Sequence, residues 1–378
     1  MGVRAKLVQL FDRSIEVIKQ DNIYANGSDN DYPERVKRVI NNSITAKSSA
    51  EQLSSYLIGE GFNLGNETVV NRFKDLDRYD VLKSACENAS IQKGFYIHVN
   101  YTIEGVVDYV DIIPYEKIRS LKKDDLGFDG GYVYKENWAK EKSFSFKKSE
   151  SKYFYTYNRN IDVINKQRIK DAGNNADIQS LKSKYRGQLL FVNLEPNTIY
   201  PLSFIDPCYN DADTEFRISL LRNKKTRTGF VEANVFIVRD EETLTVDQIK
   251  GLYGSENQGN ALYVVADTLD PGQKLEDAIH VQTIKSDINK DLFADWVKDI
   301  KNNIRNSFCR IPQILVESGD GALFGANADA MGKAHNSYNN STAKYRKIIE
   351  KAFREVFQDK ELKIVKLNLN EGDINQRR

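Results

Sequence analysis

"SDINKDLFADWVKDIKNNIRNSFCR", residues 286–310, is the stretch from which the architecture is read. Ile288, Leu292, Trp296, Ile300, Ile304 and Phe308 recur every four residues, with Phe293 and Val297 beside them. That spacing puts them on one side of an α-helix. At 1.5 Å per residue the helix is roughly 35–40 Å long. An apolar stripe of that length needs a long partner, in the same chain or a neighbouring one. Residues 204–225, "FIDPCYNDADTEFRISLLRNKK", supply one. This second helix starts at Asp206-Pro207, holds its acids in the first half, and ends on Arg222, Lys224 and Lys225, the order the helix dipole favours.

Between the two helices lies an acidic insert. Residues 229–283 hold 10 Asp/Glu against 3 Lys/Arg. They read as the strands "FVEANVFIV", "ALYVVAD" and "DAIHVQTI", with a short helix "TVDQIKGLYG" opened by Thr245 and Gln248 at capping-box spacing. After residue 310 the pattern breaks. Pro312 is expected to end the helix, and Ser318-Gly319-Asp320-Gly321 and Gly325-Ala326-Asn327 are turns. A last long helix is expected over 329–358, with Met331, Ala334, Tyr338, Tyr345, Ile349, Phe353 and Val356 on one face. A strand over 362–369 follows.

Upstream, residues 3–20 predict a short amphipathic helix, 21–33 a polar linker, and 33–58 one continuous helix. Ser43, Ser48, Ser49, Ser54 and Ser55 lie in the latter, either as close-packing positions or as a solvated face. Gly59 and Gly61 terminate it. Residues 94–101 and 106–114 alternate around Glu104-Gly105 and predict a hairpin. Strands are also expected at 130–138, 152–158 and 187–194. Residues 140–190 are basic, with 12 Lys/Arg against 5 Asp/Glu, interleaved with Tyr153, Phe154, Tyr155 and Tyr157. Such a pattern serves nucleic-acid contact or, more often, strand edges guarded by lysine.

Composition narrows the class. The 378 residues are 40% hydrophobic and 29% charged, which fits a folded chain of two or three domains. The net charge of +1 advertises no global attraction to nucleic acid. Cys86, Cys208 and Cys309 lack metal or disulfide-framework spacing. No secretory leader or membrane span is expected, and Lys6 breaks the myristoylation pattern after Gly2. P-loop, GxGxxG, HExxH and GxSxG motifs are absent. His98, His280 and His335 are isolated, and acids such as Asp124-Asp125, Asp267 and Asp270 read as surface charge. Catalytic residues, metal ligands and cofactors are therefore assigned to none.

The order of these parts resembles the portal proteins of tailed bacteriophages. "INNSITAKSSAEQLSSYLIGEGF" (40–62) is similar to the family's early helix and its glycine-bearing turn. "GFYIHVNYTIEGVVDYVDIIPYEKIR" (94–119) resembles the wing hairpin, running into a proline, an acid and an arginine. "GLYGSENQGNALYVV" (251–265) resembles the clip. "DLFADWVKDIKNNIRNSFCRIPQILVE" (291–317), then "ALFG" and a helix with Asn339 or Asn340, resembles the stem and its descent to the channel loop. The order spans residues 34–358. The chain is short for the family, so by this resemblance a crown would be minimal or missing, and 140–190 matches no named part of the family.

The resemblance implies an α+β, portal-like fold. Residues 1–208 would be N-terminal helices and a β-rich wing. Residues 209–228 and 286–310 would be the stem helices, 229–283 the clip, 311–328 the tunnel-loop region, and 329–378 the closing helix and strand. It implies a homo-oligomeric ring, usually of twelve subunits, at one capsid vertex of the virion, assembled in the host cytoplasm. Double-stranded DNA would pass through it in packaging and ejection without sequence specificity. Its partners would be the terminase large subunit, the major capsid protein and a head–tail connector or adaptor, with no membrane and no ATP hydrolysis of its own. Ser318, Gly319, Asp320, Gly321, Ala322, Leu323 and Phe324 would form the tunnel loop. It has no basic residue, so it would not grip phosphates. Leu292, Trp296, Ile300, Ile304 and Phe308 would be stem packing, and Asp240, Glu241, Glu242 and Asp247 the docking surface of the clip. Two rivals stand beside this reading. One is another structural protein of a phage head. The other is a nucleic-acid-processing enzyme that uses 140–190 and needs a carboxylate cluster for metal.

Overall fold

A computed structural model describes residues 17–18, 22–27, 29–63, 78–122, 130–138, 151–173, 177–227, 234–238, 261–265, 280–283, 290–316 and 327–368. The chain divides into two compact units, residues 1–212 with 302–378, and residues 213–301.

The first unit begins with β1 (Val17–Ile18) paired antiparallel to β2 (Ile23–Tyr24). This corrects the end of the helix expected over 3–20, whose residues 1–16 lie outside the described ones. β-branched Val17 and Ile18 favour an extended backbone over a helical last turn, and Asn22, at φ 54°, takes the left-handed conformation just before β2. The expected polar linker is also corrected. Ile23, Ala25, Asn26, Asn30 and Tyr32 are buried.

The helix expected over 33–58 is two helices, α1 (Tyr32–Asn42) and α2 (Ile44–Ile58). Ser43 separates them in an extended conformation. Its Oγ accepts from Ala46 N at 3.0 Å, and its own N donates to Val39 O at 3.1 Å. One small hydroxyl thus closes one helix and opens the next. Ser43→Ala is expected to lower stability by about 1 kcal/mol, read as a fall in the thermal midpoint. Both readings of the serines hold in part: Ser43, Ser49 and Ser54 are buried, whereas Ser48 and Ser55 face solvent.

After α2 the chain turns at Gly59, φ 60°, where a Cβ would meet the Val365 carbonyl oxygen. β3 (Gly61–Phe62) follows, then α3 (Arg78–Gln92), a helix the sequence analysis did not name. β4 (Gly94–Tyr101) and β5 (Val107–Ile113) form the expected hairpin. β6 (Ile118–Ser120), β7 (Tyr132–Tyr134) and β8 (Lys152–Thr156) come next. Then come α4 (Ile161–Ala172), α5 (Ile178–Ser183) and β9 (Gln188–Asn193). The six-stranded sheet has the order β5-β4-β9-β8-β7-β6, antiparallel except between β8 and β9. β4 lies between β5 and β9, and its Phe95, Tyr96, Ile97 and Val99 are all fully buried.

α6 (Tyr209–Arg227) leads out of this unit. Among the described residues of the second unit are the strands β10 (Asn234–Val238), β11 (Ala261–Val265) and β12 (His280–Thr283). β10 is central, parallel to β11 and antiparallel to β12. α7 (Lys290–Ser307) leads back, and α8 (Asn327–Phe357) and β13 (Ile364–Val365) complete the first unit.

β13 pairs antiparallel with β3, tying the C-terminal segment to the turn after α2. The face expected on the last helix is buried at Tyr338, Tyr345, Ile349, Phe353 and Val356. His335 joins three elements: its Nε2 lies 2.8 Å from Leu367 O and its Nδ1 2.6 Å from the Tyr56 hydroxyl. A carbonyl only accepts, so Nε2 carries the proton and Tyr56 donates to Nδ1. Asn339 is buried and donates to Leu367 O at 2.9 Å, whereas Asn340 is exposed.

The proline, acid and arginine after the hairpin have structural work. Pro114 precedes a 3₁₀ turn, Glu116 pairs with Lys37, and Arg119 is fully buried. The Arg119 guanidinium donates to Asn30 Oδ1 at 2.5 Å and to the carbonyls of Asn30, Glu116 and Ile118 at 2.7, 3.0 and 2.8 Å. Trp138 lies 5.1 Å beneath it. This cation is held by oxygen dipoles and a π face, so the supposed linker residue Asn30 is part of the core.

Candidate functional site

Two helices leave and re-enter the first unit, and their roots meet there. The stretch Asp206–Cys208 is a 3₁₀ turn with Pro207 at its start, which feeds directly into α6. The last residues of α7 lie against it. Asn303 Nδ2 donates to Asp211 Oδ2 at 3.0 Å, and the Ser307 hydroxyl donates to Phe204 O. Phe308 is fully buried, with its ring centre 6.0 Å from that of Phe204, which in turn meets Tyr345 edge-on at 5.3 Å. The Tyr338 hydroxyl of α8 donates to Phe308 O at 3.0 Å. Lys93 spans the outside. Its Nζ is 2.7 Å from Glu195 Oε1 and 4.6 Å from the centre of the Phe204 ring.

The end of α7 corrects the expected boundary. Pro312 was expected to stop the helix, with residues up to 310 inside it. The α-helix ends at Ser307, because Cys309 and Arg310 are both left-handed, at φ 63° and 59°. Ile311 N then donates to Arg305 O at 3.0 Å. Two successive non-glycine residues in this region cost roughly 1–3 kcal/mol each and persist only where packing over-determines them. Here buried Phe308 and Ile311 flank the pair.

The stem residues are divided by the structure. Ile300, Ile304 and Phe308 are buried, and the Leu292 side chain lies outside the described ones. Trp296 is 47% exposed in the single chain, where the stripe was expected to pack on the same chain or on a neighbouring one. On α6, Leu220 and Leu221 are also exposed, by 50% and 37%. Residues 318–324 of the tunnel loop, and Asp240, Glu241, Glu242 and Asp247 of the clip surface, lie outside the described residues. The analysis of the sequence missed Phe204, Asn303, Ser307 and Lys93. Asn303 and Ser307 lie within the expected helix 286–310, Phe204 and Lys93 just before recognised elements, and only the approach of the two roots links them.

Burial pushes the thiols of Cys208 and Cys309 up to about 11, and that of Cys86 further still, so none is a ready nucleophile at neutral pH. Burial lowers the pKa of His98, whose Nε2 donates to Arg186 O at 2.6 Å. Among the described residues no group of three His, Cys, Asp or Glu is placed to hold a metal ion. No described helix is long and apolar enough to cross a membrane.

No protein-family model matches the chain, and no curated protein does. Among solved structures, it is similar to a chain in the virion of a native gene transfer agent (GTA) particle. The TM-score is 0.53 at 10% identity, over 92% of this chain and 86% of that one. It is also similar to a chain in the neck of an empty GTA particle computed with C6 symmetry, with TM-score 0.52, 10% identity and the same coverages. At that identity the likeness is one of fold.

Proposed function

We propose that this chain is a portal-type subunit of a phage-like particle, forming a closed ring at one capsid vertex through which double-stranded DNA is packaged and later ejected. The observation that carries the reading is the route of the chain. It leaves the first unit through α6, builds a three-stranded sheet, returns through α7, and the two roots are joined by Asn303–Asp211 and Ser307–Phe204. The fold shared with virion and neck chains of a GTA particle supports it, as does the C6 symmetry of that neck, since a twelve-subunit ring contains a sixfold axis. In this reading residues 213–301 carry the stem and clip, where the terminase large subunit and then a head–tail connector would dock. The remaining body faces the major capsid protein. The chain has no catalytic step of its own. Its place is the virion, after assembly in the host cytoplasm.

Native mass measurement and negative-stain imaging across a concentration series test the reading. Rings with a central hole are expected, and a compact dimer that requires a divalent metal would overturn it in favour of a nucleic-acid enzyme. Deleting residues 318–324 is expected to leave rings intact while lowering packaged genomes at least tenfold, measured as nuclease-protected DNA. Unimpaired packaging would remove the tunnel-loop assignment.

A further inference from the structure

The basic stretch 140–190 resolves, over its described residues, into β8 and two helices laid against the hairpin. Arg168 of α4 is the tether. It is buried and donates to the hairpin carbonyls of Tyr101, Thr102 and Ile103 at 2.8, 2.7 and 3.2 Å. Ile161 packs beneath the turn at Gly105, φ 83°, where a Cβ would lie 2.2 Å from Ile161 Cδ1. With Ile164 and Arg168 turned inward, Lys166 and Lys170 fall on the opposite face of α4.

Arg159, Lys166, Lys170, Lys182, Lys184 and Arg186 are all exposed. Among the described residues none of the six makes an ion pair. The three acids of this module are Asp162, Asp171 and Asp177. Asp171 accepts from the Tyr155 hydroxyl and Asp177 caps α5 at Ser180 N. Guarding a strand edge does not explain the cations. β8 lies between β7 and β9, and most of the cations stand on or beside helices. A chain of net charge +1 thus carries six exposed cations between residues 159 and 186, on and beside helices tethered to the hairpin through Arg168.

We propose that the outward face of α4 and α5 binds the phosphate backbone of double-stranded DNA. Lys166 and Lys170 stand one helical turn, about 6 Å, apart along α4, with the Lys170 ammonium 5.9 Å from the centre of the Tyr155 ring. Duplex DNA carries a charge about every 1.7 Å along its axis, so both lysines meet phosphates in any sequence. The exposed amides of Asn165 and Gln179 add neutral donors on the same two helices. The proposal does not rest on the portal reading.

Fluorescence anisotropy of a labelled 30-base-pair duplex, titrated with the full chain at 50 and 200 mM salt, tests it. The parent is expected to bind at 50 mM and to weaken at least tenfold at 200 mM. The variant Lys166→Glu/Lys170→Glu/Lys182→Glu is expected to bind at least tenfold more weakly at 50 mM. Its salt slope should be shallower by about one for each phosphate contact removed. Lys47→Glu/Lys83→Glu/Lys351→Glu changes the net charge equally at exposed positions elsewhere, and is expected to bind within threefold of the parent. Lys166→Gln/Lys170→Gln/Lys182→Gln, a milder change, gives an intermediate loss if the glutamate variant fails to fold. Equal weakening by both glutamate variants overturns the proposal. So does the absence of binding at 50 mM, or binding of anionic phosphatidylserine vesicles in preference to the duplex.

Discussion

Phe308→Ala lowers the stability of the first unit by about 3–5 kcal/mol, the range for truncating a fully buried phenylalanine. The ring is fully buried, one residue past the end of α7. Its neighbour Phe204 also holds the start of α6 and the edge of Tyr345. Deleting it empties a volume that three elements line, and α7 has already used two left-handed residues to place it. Stability of a whole domain is roughly 5–15 kcal/mol, so the loss is a large fraction of it. The midpoint of thermal unfolding is expected to fall by roughly 10 °C. Leu221→Ala, at a position 37% exposed on α6, serves as the contrast and is expected to change the same stability by less than about 0.5 kcal/mol. Phe308→Ala melting within 2 °C of the parent would mean that the two roots are not packed as described.

Trp296→Asp acts at the other level. The stripe on residues 286–310 places Trp296 with its buried members, yet the single chain leaves 47% of it open. The monomer therefore tolerates the change, and its unfolding midpoint stays within a few degrees of the parent. If a neighbouring subunit covers this face, each interface of a closed ring buries an unpaired carboxylate, at several kcal/mol apiece. The expected product is a folded monomer at concentrations where the parent forms rings, read by native mass measurement. Rings forming at the parental concentration would free Trp296 from any subunit contact.

The two variants separate what was legible from what was not. The hairpin of β4 and β5 was read correctly because Glu104-Gly105 sits between alternating strands, and α7 because its apolar residues recur every four positions. The helix α3 was missed. Its buried stripe has bulk only at Val81 and Leu82 and continues through Ala85, Cys86, Ala89 and Ser90, small residues that give a weak signal yet let α2 approach. α4 was missed for a related reason: its buried positions are Ile164 and Arg168, and an arginine reads as surface until hairpin carbonyls are brought to it. The polar run 21–33 was taken for a linker because its burial depends on Arg119, some ninety positions away.

The sequence by itself determined the β4–β5 hairpin, strands at β7, β8, β9, β10, β11 and β12, and the existence of the long helices α6, α7 and α8, since those follow from local periodicity and turn chemistry. Only the tertiary structure decided which polar residues are core and where each helix stops. It likewise decided which members of the α7 stripe the chain itself covers. Those outcomes depend on partners distant in sequence, such as Asn30 with Arg119, Phe204 with Phe308, and His335 with Leu367. Burial is a property of the neighbour as much as of the residue.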